Sequence, residues 1–508
     1  MQDNGQMKSI KEVLAGYGID CPDIPVTDLV LDSREVAIHK AFVAIKGHQL
    51  DGRDFIPQAI SLGAKLIIAE TEEHNEHGHV EMREQTVIVY FHALLRQLSA
   101  LADAFYGQPS DSLDVIAVTG TNGKTSTVQL TTQLRHALGE KSASIGTLGT
   151  GIFTGKESNL AVSVNTTPDA INMQRLLSQY QQDSVKQVAM EASSHALVQG
   201  RIDNVRIRVA VFTNLSRDHL DYHGSMAEYA KAKRQLIHLD GVQTLVLNAD
   251  DIESDAWLSE KPDAMQVIYF STEQSVQTIS ERGQYCVASN IQYVSSGCQF
   301  RLSSSWGNAD VVLPLFGKFN VSNFLAAFAS QLALGHRFSA LVKAISSLRP
   351  VAGRMEIFEG RDNANIIVDY AHTPDALEQV LLAVKAHCRG ELVCLFGCGG
   401  DRDRGKRSLM GEVAEKFADR IVLTSDNSRS EDPHHIIKDI LSGCRQPDSV
   451  LVEVDRQTAI KQALTQTDKH DLILVAGKGH EDYQIIGDQV LDYNERQYVQ
   501  QLLKGNGQ

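Results

Sequence analysis

The chain has 508 residues, 43% of them apolar, which is too much for one ordinary core and sets an expectation of roughly three domains. Acidic side chains outnumber basic ones, 63 to 48, for a formal net charge of −15. That balance excludes a general nucleic-acid-binding surface, which needs an excess of positive charge, but not an anionic small ligand held by a local cluster.

In chain order, the N-terminal segment MQDNGQMKSIKEV has no basic stretch followed by an apolar one, and nowhere do about 18 apolar residues run together. The expected compartment is therefore the cytoplasm, with no transmembrane segment. Short apolar runs at 41–45 and 65–69 are broken by glycines. Residues 91–105 are predicted as a helix, with Leu94, Leu98, Leu101 and Phe105 on one stripe. GQPSDS at 107–112 stops that helix and reads as a linker.

VIAVTGTNGKT at 115–125 is an apolar run followed by a turn of small polar residues and then Gly123-Lys124-Thr125. This is the layout of a strand feeding a phosphate-binding loop at a helix start, where glycine lets backbone N–H groups approach phosphate oxygens. Lys124 supplies a point positive charge and Thr125 a hydroxyl for Mg²⁺. Position 118 is valine where the longer Walker pattern has its first glycine, so an ordinary strand-to-helix turn is the competing reading. Leu130, Leu134 and Leu138 mark the following helix.

Further apolar runs end at Met190, Phe212 and Leu247, which predicts strand–helix units and a mostly parallel sheet covered on both faces. Glu191 follows the first of these runs as a hard-oxygen ligand for Mg²⁺, or else as part of a helix-capping cluster with Ser193 and Ser194. TNLSRDHLDYHG at 213–224 is dense in polar groups without zinc-site spacing. Lys231 and Lys233, in the next helical pattern, read from residue chemistry alone as solvated surface lysines. Residues 280–315 alternate polar and apolar in short stretches, an antiparallel excursion, before a helix over 320–334.

Four buried strands are predicted at 366–368, 392–396, 421–423 and 472–475, separated by helical segments, as in a second nucleotide-type α/β fold. Polar clusters follow these strands and carry Arg402, Arg404, Lys406 and Arg407, then Asp426, Asn427 and Arg429, then Glu481. Arginines for carboxylates beside acids for an ammonium group suit a zwitterionic amino acid. A solvated charge cluster is the plainer reading. The seven cysteines are odd in number and scattered, with no paired C-x-x-C, against a disulfide scaffold or structural zinc.

These motifs, taken together and in order, resemble the Mur ligases. The match runs through LDSREV (31–36), KGHQLDGRDFI (46–56), TGTNGKTS (119–126), NTTPD (165–169), EASSHAL (191–197) and TNLSRDHLDYHG (213–224). It continues with GKFNVSN (317–323), GRME (353–356), DYAHTPD (369–375), GCGGDRDRGKR (397–407) and GKGHEDYQ (477–484). The resemblance implies three α/β domains. A smaller N-terminal one over 1–108 would bind the UDP end of the substrate, and a central P-loop-type one over 109–350 would bind ATP and Mg²⁺. A C-terminal Rossmann-like one over 351–508 would hold the incoming amino acid.

The implied reaction is ATP-dependent addition of meso-diaminopimelate to UDP-N-acetylmuramoyl-L-alanyl-D-glutamate through an acyl phosphate, in peptidoglycan synthesis. The resemblance assigns Leu31, Ser33, His48, Gln49 and Leu50 to the UDP end. It assigns Gly120, Thr121, Asn122, Gly123, Lys124, Thr125, Ser126 and Asn214 to the nucleotide, with Arg354, Asp369 and Tyr370 meeting it across the cleft. The peptide would meet Asn165, Thr166, Thr167, Ser193, Gln199 and Arg201. Thr125, Glu191 and a carbamylated Lys233 would hold the metal, and His219 is one candidate base for the amine. Arg402, Asp426, Asn427, Ser428, Arg429, Gly477 and Glu481 would receive the amino acid. Diaminopimelate-using members carry Asp-Asn-Pro-Arg where this chain has Asp426-Asn427-Ser428-Arg429, so the charge-reading arginine is kept and a fixed φ is lost. One chain supplies the whole site, so a monomer is expected. Other amide ligases of the same superfamily, and a P-loop ATPase or GTPase switch acting through partners, are the competing functions.

Overall fold

The computed structural model describes residues 7–47, 50–155, 160–161, 165–294, 297–360 and 363–505. Strands Asp28–Val30, Lys40–Ala44, Leu66–Thr71, Thr86–His92 and Val80–Arg83 lie side by side in that order, parallel except for the last pair. Side chains alternate across a strand, so each apolar run feeds two cores. Ala41, Val43, Leu66 and Ile68 pack on one face, and Phe42, Ala44, Ile67 and Ala69 on the other.

The following helix is Leu94–Tyr106 and begins three residues later than the sequence pattern predicts. Phe91 belongs to the preceding strand, and Ala93 takes φ 54°, which turns the chain before the helix starts. Leu94, Leu98, Leu101 and Phe105 form the expected buried stripe. The stretch at 107–112 is a packed connector rather than a free tether. Pro109 and Ser110 are buried, and Ser110 Oγ accepts from the Arg206 N–H at 3.0 Å.

The central sheet has ten strands, in the order 149–152, 142–146, 187–191, 114–119, 209–212, 244–248, 266–271, 284–294, 297–304 and 307–313. The strands from 142–146 through 284–294 run parallel, and the residues around 280–315 form the expected antiparallel meander. Helices Lys124–Ala137 and Lys318–Ala333 cover one face; Ala170–Gln182 and the Trp257 helix cover the other. Strand Asp114–Thr119 sits between Gln187–Glu191 and Val209–Phe212, which lines up the turn after Thr119, Glu191 and Thr213 along one sheet edge.

The C-terminal sheet runs 356–358, 365–369, 472–476, 392–396, 420–423, 451–452, antiparallel only in its first pair. The four predicted strands are its centre. The edge strands Glu356–Phe358 and Leu451–Val452, and a separate hairpin of Tyr483–Ile486 with Gln489–Asp492, go unpredicted because two to four residues carry too little pattern.

The N-terminal sheet is fastened to the central domain by Arg175. Its Nε donates to Asp28 Oδ1 at 2.9 Å and its Nη2 to Leu29 O at 2.6 Å, while the Tyr106 hydroxyl donates to the same Asp28 oxygen. Phe316 and Phe319 of the central domain pack on the core of the C-terminal domain, and the Phe316 ring lies 4.8 Å from that of His387. Among the described residues no helix is long and apolar enough to cross a membrane.

Candidate active site

The loop after Thr119 is held by the neighbouring strand end. The Thr121 N–H donates to Asn214 O at 2.8 Å, Asn122 N to Asn214 Oδ1 at 2.9 Å, and Thr213 Oγ1 to Asn122 O at 2.6 Å. Two of its residues must be glycine. Gly120 takes φ 148° and a Cβ there would fall 1.9 Å from Thr213 Oγ1; Gly123 takes φ 84° and a Cβ would fall 2.3 Å from Asn323 Oδ1. Gly123 caps the helix that begins at Lys124, so the first N–H groups of that helix open toward the loop. Lys124 Nζ folds back onto Gly120 O at 2.9 Å and Thr121 O at 2.8 Å. Thr121 and Ser126 are buried in the same turn.

Glu191 stands beside this loop with both carboxylate oxygens in use. Oε1 accepts from Thr125 Oγ1 at 2.9 Å and the Thr147 N–H at 2.8 Å, and Oε2 accepts from Thr147 Oγ1 at 3.2 Å. Thr167 Oγ1 donates to Glu191 O at 2.7 Å and lies 3.2 Å from Ser193 Oγ, while Thr166 Oγ1 is 3.1 Å from Thr147 Oγ1. Ser193 also caps the helix Ser194–Val198 through the Ala196 N–H. Gln199 Oε1 accepts from Arg201, whose Nη1 reaches Thr167 O at 2.9 Å. Thr147 was not singled out from sequence: a threonine in a turn between two strands carries no chemical signature.

Lys233 overturns its surface reading. It is 1% exposed, because Tyr229 and Lys233, one turn apart on the helix Met226–Arg234, face the loop rather than solvent. Its Nζ donates to Gly120 O at 2.7 Å and lies 4.2 Å over the Tyr229 ring. No carboxylate pairs with it among the described residues. Burial first, then the nearby charge of Lys124, pushes its pKa well below the ordinary lysine value. Lys231 is exposed, as expected.

Histidines line the same cleft, His195 and His219 from the central domain and His372 from the C-terminal one. His219 sits at φ 53° with Nε2 3.4 Å from Asp218 Oδ2, and its ring is 5.1 Å from that of His195. Burial pulls His219, His195 and His372 each down to about 4, against an ordinary value of 6.5. At neutral pH these rings carry no proton charge, so His219 accepts a proton only weakly. The unfolded chain takes up protons near pH 6.5 that the folded one refuses until about pH 4. Stability therefore falls as pH drops through that window. Thermal unfolding scanned between pH 7 and pH 4 is expected to give a steadily falling Tm, steeper than in a His219→Asn, His372→Asn double variant; equal slopes would refute this.

Across the cleft, Arg354 lies 4.5 Å over the Tyr370 ring and donates to Thr125 Oγ1 at 3.3 Å, while its Nε has no hydrogen-bond partner among the described residues. Asp369 lines one pocket with Asn122, Gly123, Ser126, Asn214, Arg354 and Tyr370. Its two oxygens accept the N–H groups of Met355 and Ala371, each at 2.7 Å, so it braces the turn that presents Arg354. Asn122 Nδ2 reaches Asp375 Oδ2 at 3.0 Å from the other domain.

The residues that the resemblance assigns to the incoming amino acid come together at the carboxyl ends of three C-terminal strands. Asn427 Nδ2 donates to Glu481 Oε2 at 2.9 Å, and the Gly477 N–H to Asp369 O at 3.1 Å. Arg429 takes φ 49° and its Nη1 donates to Gly400 O at 2.9 Å. Ser428 is buried with an unpartnered hydroxyl. Lys478, missed although it lies inside a quoted motif, is fully buried among these groups. Arg407 turns away and pairs with Glu431 and Asp439, a structural rather than ligand-facing role. Arg402 lines the same cleft as Asn165, Lys124, Glu191, His219 and Lys233. At the N-terminal end Ser33 Oγ donates to Gln58 Oε1 at 2.9 Å, Leu31 packs against the core and Leu50 is exposed. His48 and Gln49 lie outside the described residues.

Three family descriptions match this chain in succession: Mur ligase family, catalytic domain, over 25–106; Mur ligase middle domain over 118–331; and Mur ligase, glutamate ligase domain, over 353–479. A UDP-N-acetylmuramoyl-L-alanyl-D-glutamate–2,6-diaminopimelate ligase of Vibrio vulnificus is 45% identical over 488 residues, 96% of each chain. The chain belongs to the Mur ligase family.

A solved structure of a UDP-N-acetylmuramoyl-L-alanyl-D-glutamate–2,6-diaminopimelate ligase is similar to this Mur ligase at a TM-score of 0.67 and 33% identity, covering 99% of this chain and 100% of that one. The MurF ligase of Thermotoga maritima in complex with ADP shares the fold at a TM-score of 0.66 and 18% identity, over 94% and 98% of the two chains. The loop at 120–126, Glu191 and Lys233 fall in the middle domain of this Mur ligase, and the residues from Arg402 to Gly477 in its glutamate ligase domain.

Proposed function

We propose that this Mur ligase joins meso-diaminopimelate to UDP-N-acetylmuramoyl-L-alanyl-D-glutamate at the expense of ATP, giving the UDP-linked tripeptide, ADP and phosphate. The observation that carries this reading is one cleft that holds Lys124, Glu191 and Lys233 on one side and Arg402 on the other. The diaminopimelate ligases similar to it along nearly their whole length support the same substrates. A UDP-linked precursor and ATP are cytoplasmic compounds, which makes the cytoplasm the site of the reaction.

A carboxylate does not expel oxygen unaided. The D-glutamate γ-carboxylate attacks the γ-phosphorus of ATP, ADP leaves, and the carboxyl carbon now carries phosphate. Lys124 unfolds from the Gly120 and Thr121 carbonyls to meet the transferring phosphoryl group, and the loop N–H groups share its charge. Thr125 Oγ1 and Glu191 offer the hard oxygens that would hold Mg²⁺. Bound there, Mg²⁺ supplies charge stabilisation at the phosphoryl oxygens. The amine of diaminopimelate then attacks the acyl carbon, loses a proton to a nearby base and expels phosphate.

Lys233 suits carbamylation. Burial disfavours its ammonium form; the neutral amine attacks CO₂, releases a proton and becomes a carbamate, which would place an anion beside Lys124.

Phosphate release from ATP and UDP-N-acetylmuramoyl-L-alanyl-D-glutamate is expected with meso-diaminopimelate and not with L-lysine. Release with no amino acid present would favour the P-loop switch, and equal use of lysine would remove the acceptor assignment. Arg429→Ala is expected to raise KM for diaminopimelate at least tenfold and leave KM for ATP within twofold, since its fork pairs with the distal carboxylate that lysine lacks. Parallel rises in both constants would contradict that role.

A further inference from the structure

Lys478 is a buried cation inside the acceptor cluster. It is 0% exposed, and its Nζ lies 3.1 Å from Asn427 Oδ1, 3.1 Å from Glu481 Oε2 and 3.6 Å from Asp426 Oδ1. The rings of Tyr483 and Tyr493 stand 5.6 and 6.0 Å away. The same Asn427 Oδ1 accepts the Ile485 N–H at 2.9 Å. An ammonium group and a backbone N–H are donors only, so the atom between them is fixed as the amide oxygen. Two donors fill its lone pairs. The amide nitrogen is therefore forced to the opposite side, where one N–H goes to Glu481 Oε2 and the other has no hydrogen-bond partner among the described residues.

The charges point the same way. Asp426, buried, and Glu481, partly buried, are two carboxylates beside the same Lys478 ammonium group. Burial by itself would raise the Asp426 carboxyl, yet the charge of Lys478, with that of Arg456, outweighs it and holds the group below the usual carboxylate range. Within the group of Lys478, Asp426 and Glu481, one cation against two anions leaves a single negative charge, which matches one ammonium group of an amino acid, while Arg402 and Arg429 are left for its carboxylates. Arg456 is spent elsewhere, paired with Glu495 and bonded to Ala476 O.

We propose that Lys478 is a positioning residue for the acceptor amino acid: it turns the Asn427 amide so that an N–H faces the amino acid's carboxylate, and it offsets one of the two carboxylates that face its ammonium group. The proposal rests on the reading of this cluster as the diaminopimelate site. Wild-type phosphate release with diaminopimelate tests that reading, and the variants below test Lys478, so the two fail separately.

Lys478→Met keeps the volume and removes the charge. It is expected to raise KM for meso-diaminopimelate at least tenfold, with KM for ATP and for the UDP-linked dipeptide within twofold. Lys478→Arg is expected to recover part of that loss. Asn427→Asp, which keeps shape but removes the outward N–H, is expected to raise the same KM by a similar factor while the protein unfolds at close to the wild-type temperature. That variant carries the test if Lys478→Met does not fold. Parallel rises in all three KM values, a fall in kcat at unchanged KM for diaminopimelate, or wild-type behaviour in Asn427→Asp would each overturn the proposal.

Discussion

Lys124→Ala is expected to cut turnover by about 10²–10³ or more, the range seen when one preorganised charge or donor is removed from a transferring group. The fold should survive. In the structure the ammonium group satisfies only the Gly120 and Thr121 carbonyls, and the loop keeps its bonds from Thr121, Asn122 and Thr213 to the neighbouring strand end. Losing two such bonds at a partly wet loop costs about 1–2 kcal/mol, well short of unfolding a chain this size. The measurement is phosphate release alongside thermal unfolding. Near-normal turnover would remove the loop from the phosphoryl-transfer step.

Lys233→Met should be nearly as damaging to turnover, and for a different reason. Methionine fills the space beside Tyr229 and Gly120, so packing is kept and only the reactive nitrogen is lost. If that nitrogen carries a carbamate, the variant loses an anion next to the metal, again worth about 10²–10³ in rate. Wild-type protein given ¹³C-bicarbonate should display a carbamate carbon resonance that Lys233→Met lacks, and wild-type activity should rise with added bicarbonate. A Lys233→Met enzyme with wild-type turnover would end this account.

What the sequence made legible follows from the range over which each feature acts. The P-loop strand, Glu191 at a strand end and the central strands of the third domain are local: an apolar run, then a polar turn, written in consecutive residues. Lys233 was invisible to that reading, since a lysine on an amphipathic helix looks solvated until the helix is docked and its charged face turns out to meet Gly120. Resemblance to a family named it; residue chemistry did not. Thr147 and Lys478 matter through partners that lie 44 and 51 residues away in the chain, distances at which no spacing rule operates. The helix start at Leu94 was misplaced because Phe91 continues the apolar period of the helix while being bonded into a strand. Asp369 was legible as a strand-end carboxylate, but only the structure reveals that two backbone N–H groups use both its oxygens.

The Arg175 tie has a consequence for substrate choice. It joins the N-terminal sheet to helix Ala170–Gln182, which begins directly after the NTTPD segment, by a shared ion pair with Asp28 and one bond to the Leu29 backbone carbonyl. On the proposed reading, with the nucleotide-sugar end on the N-terminal sheet and the reacting end at the phosphate loop, this tie would hold the span between them, and a precursor one residue shorter or longer is expected to be a poor substrate because of its length, before any side chain is inspected.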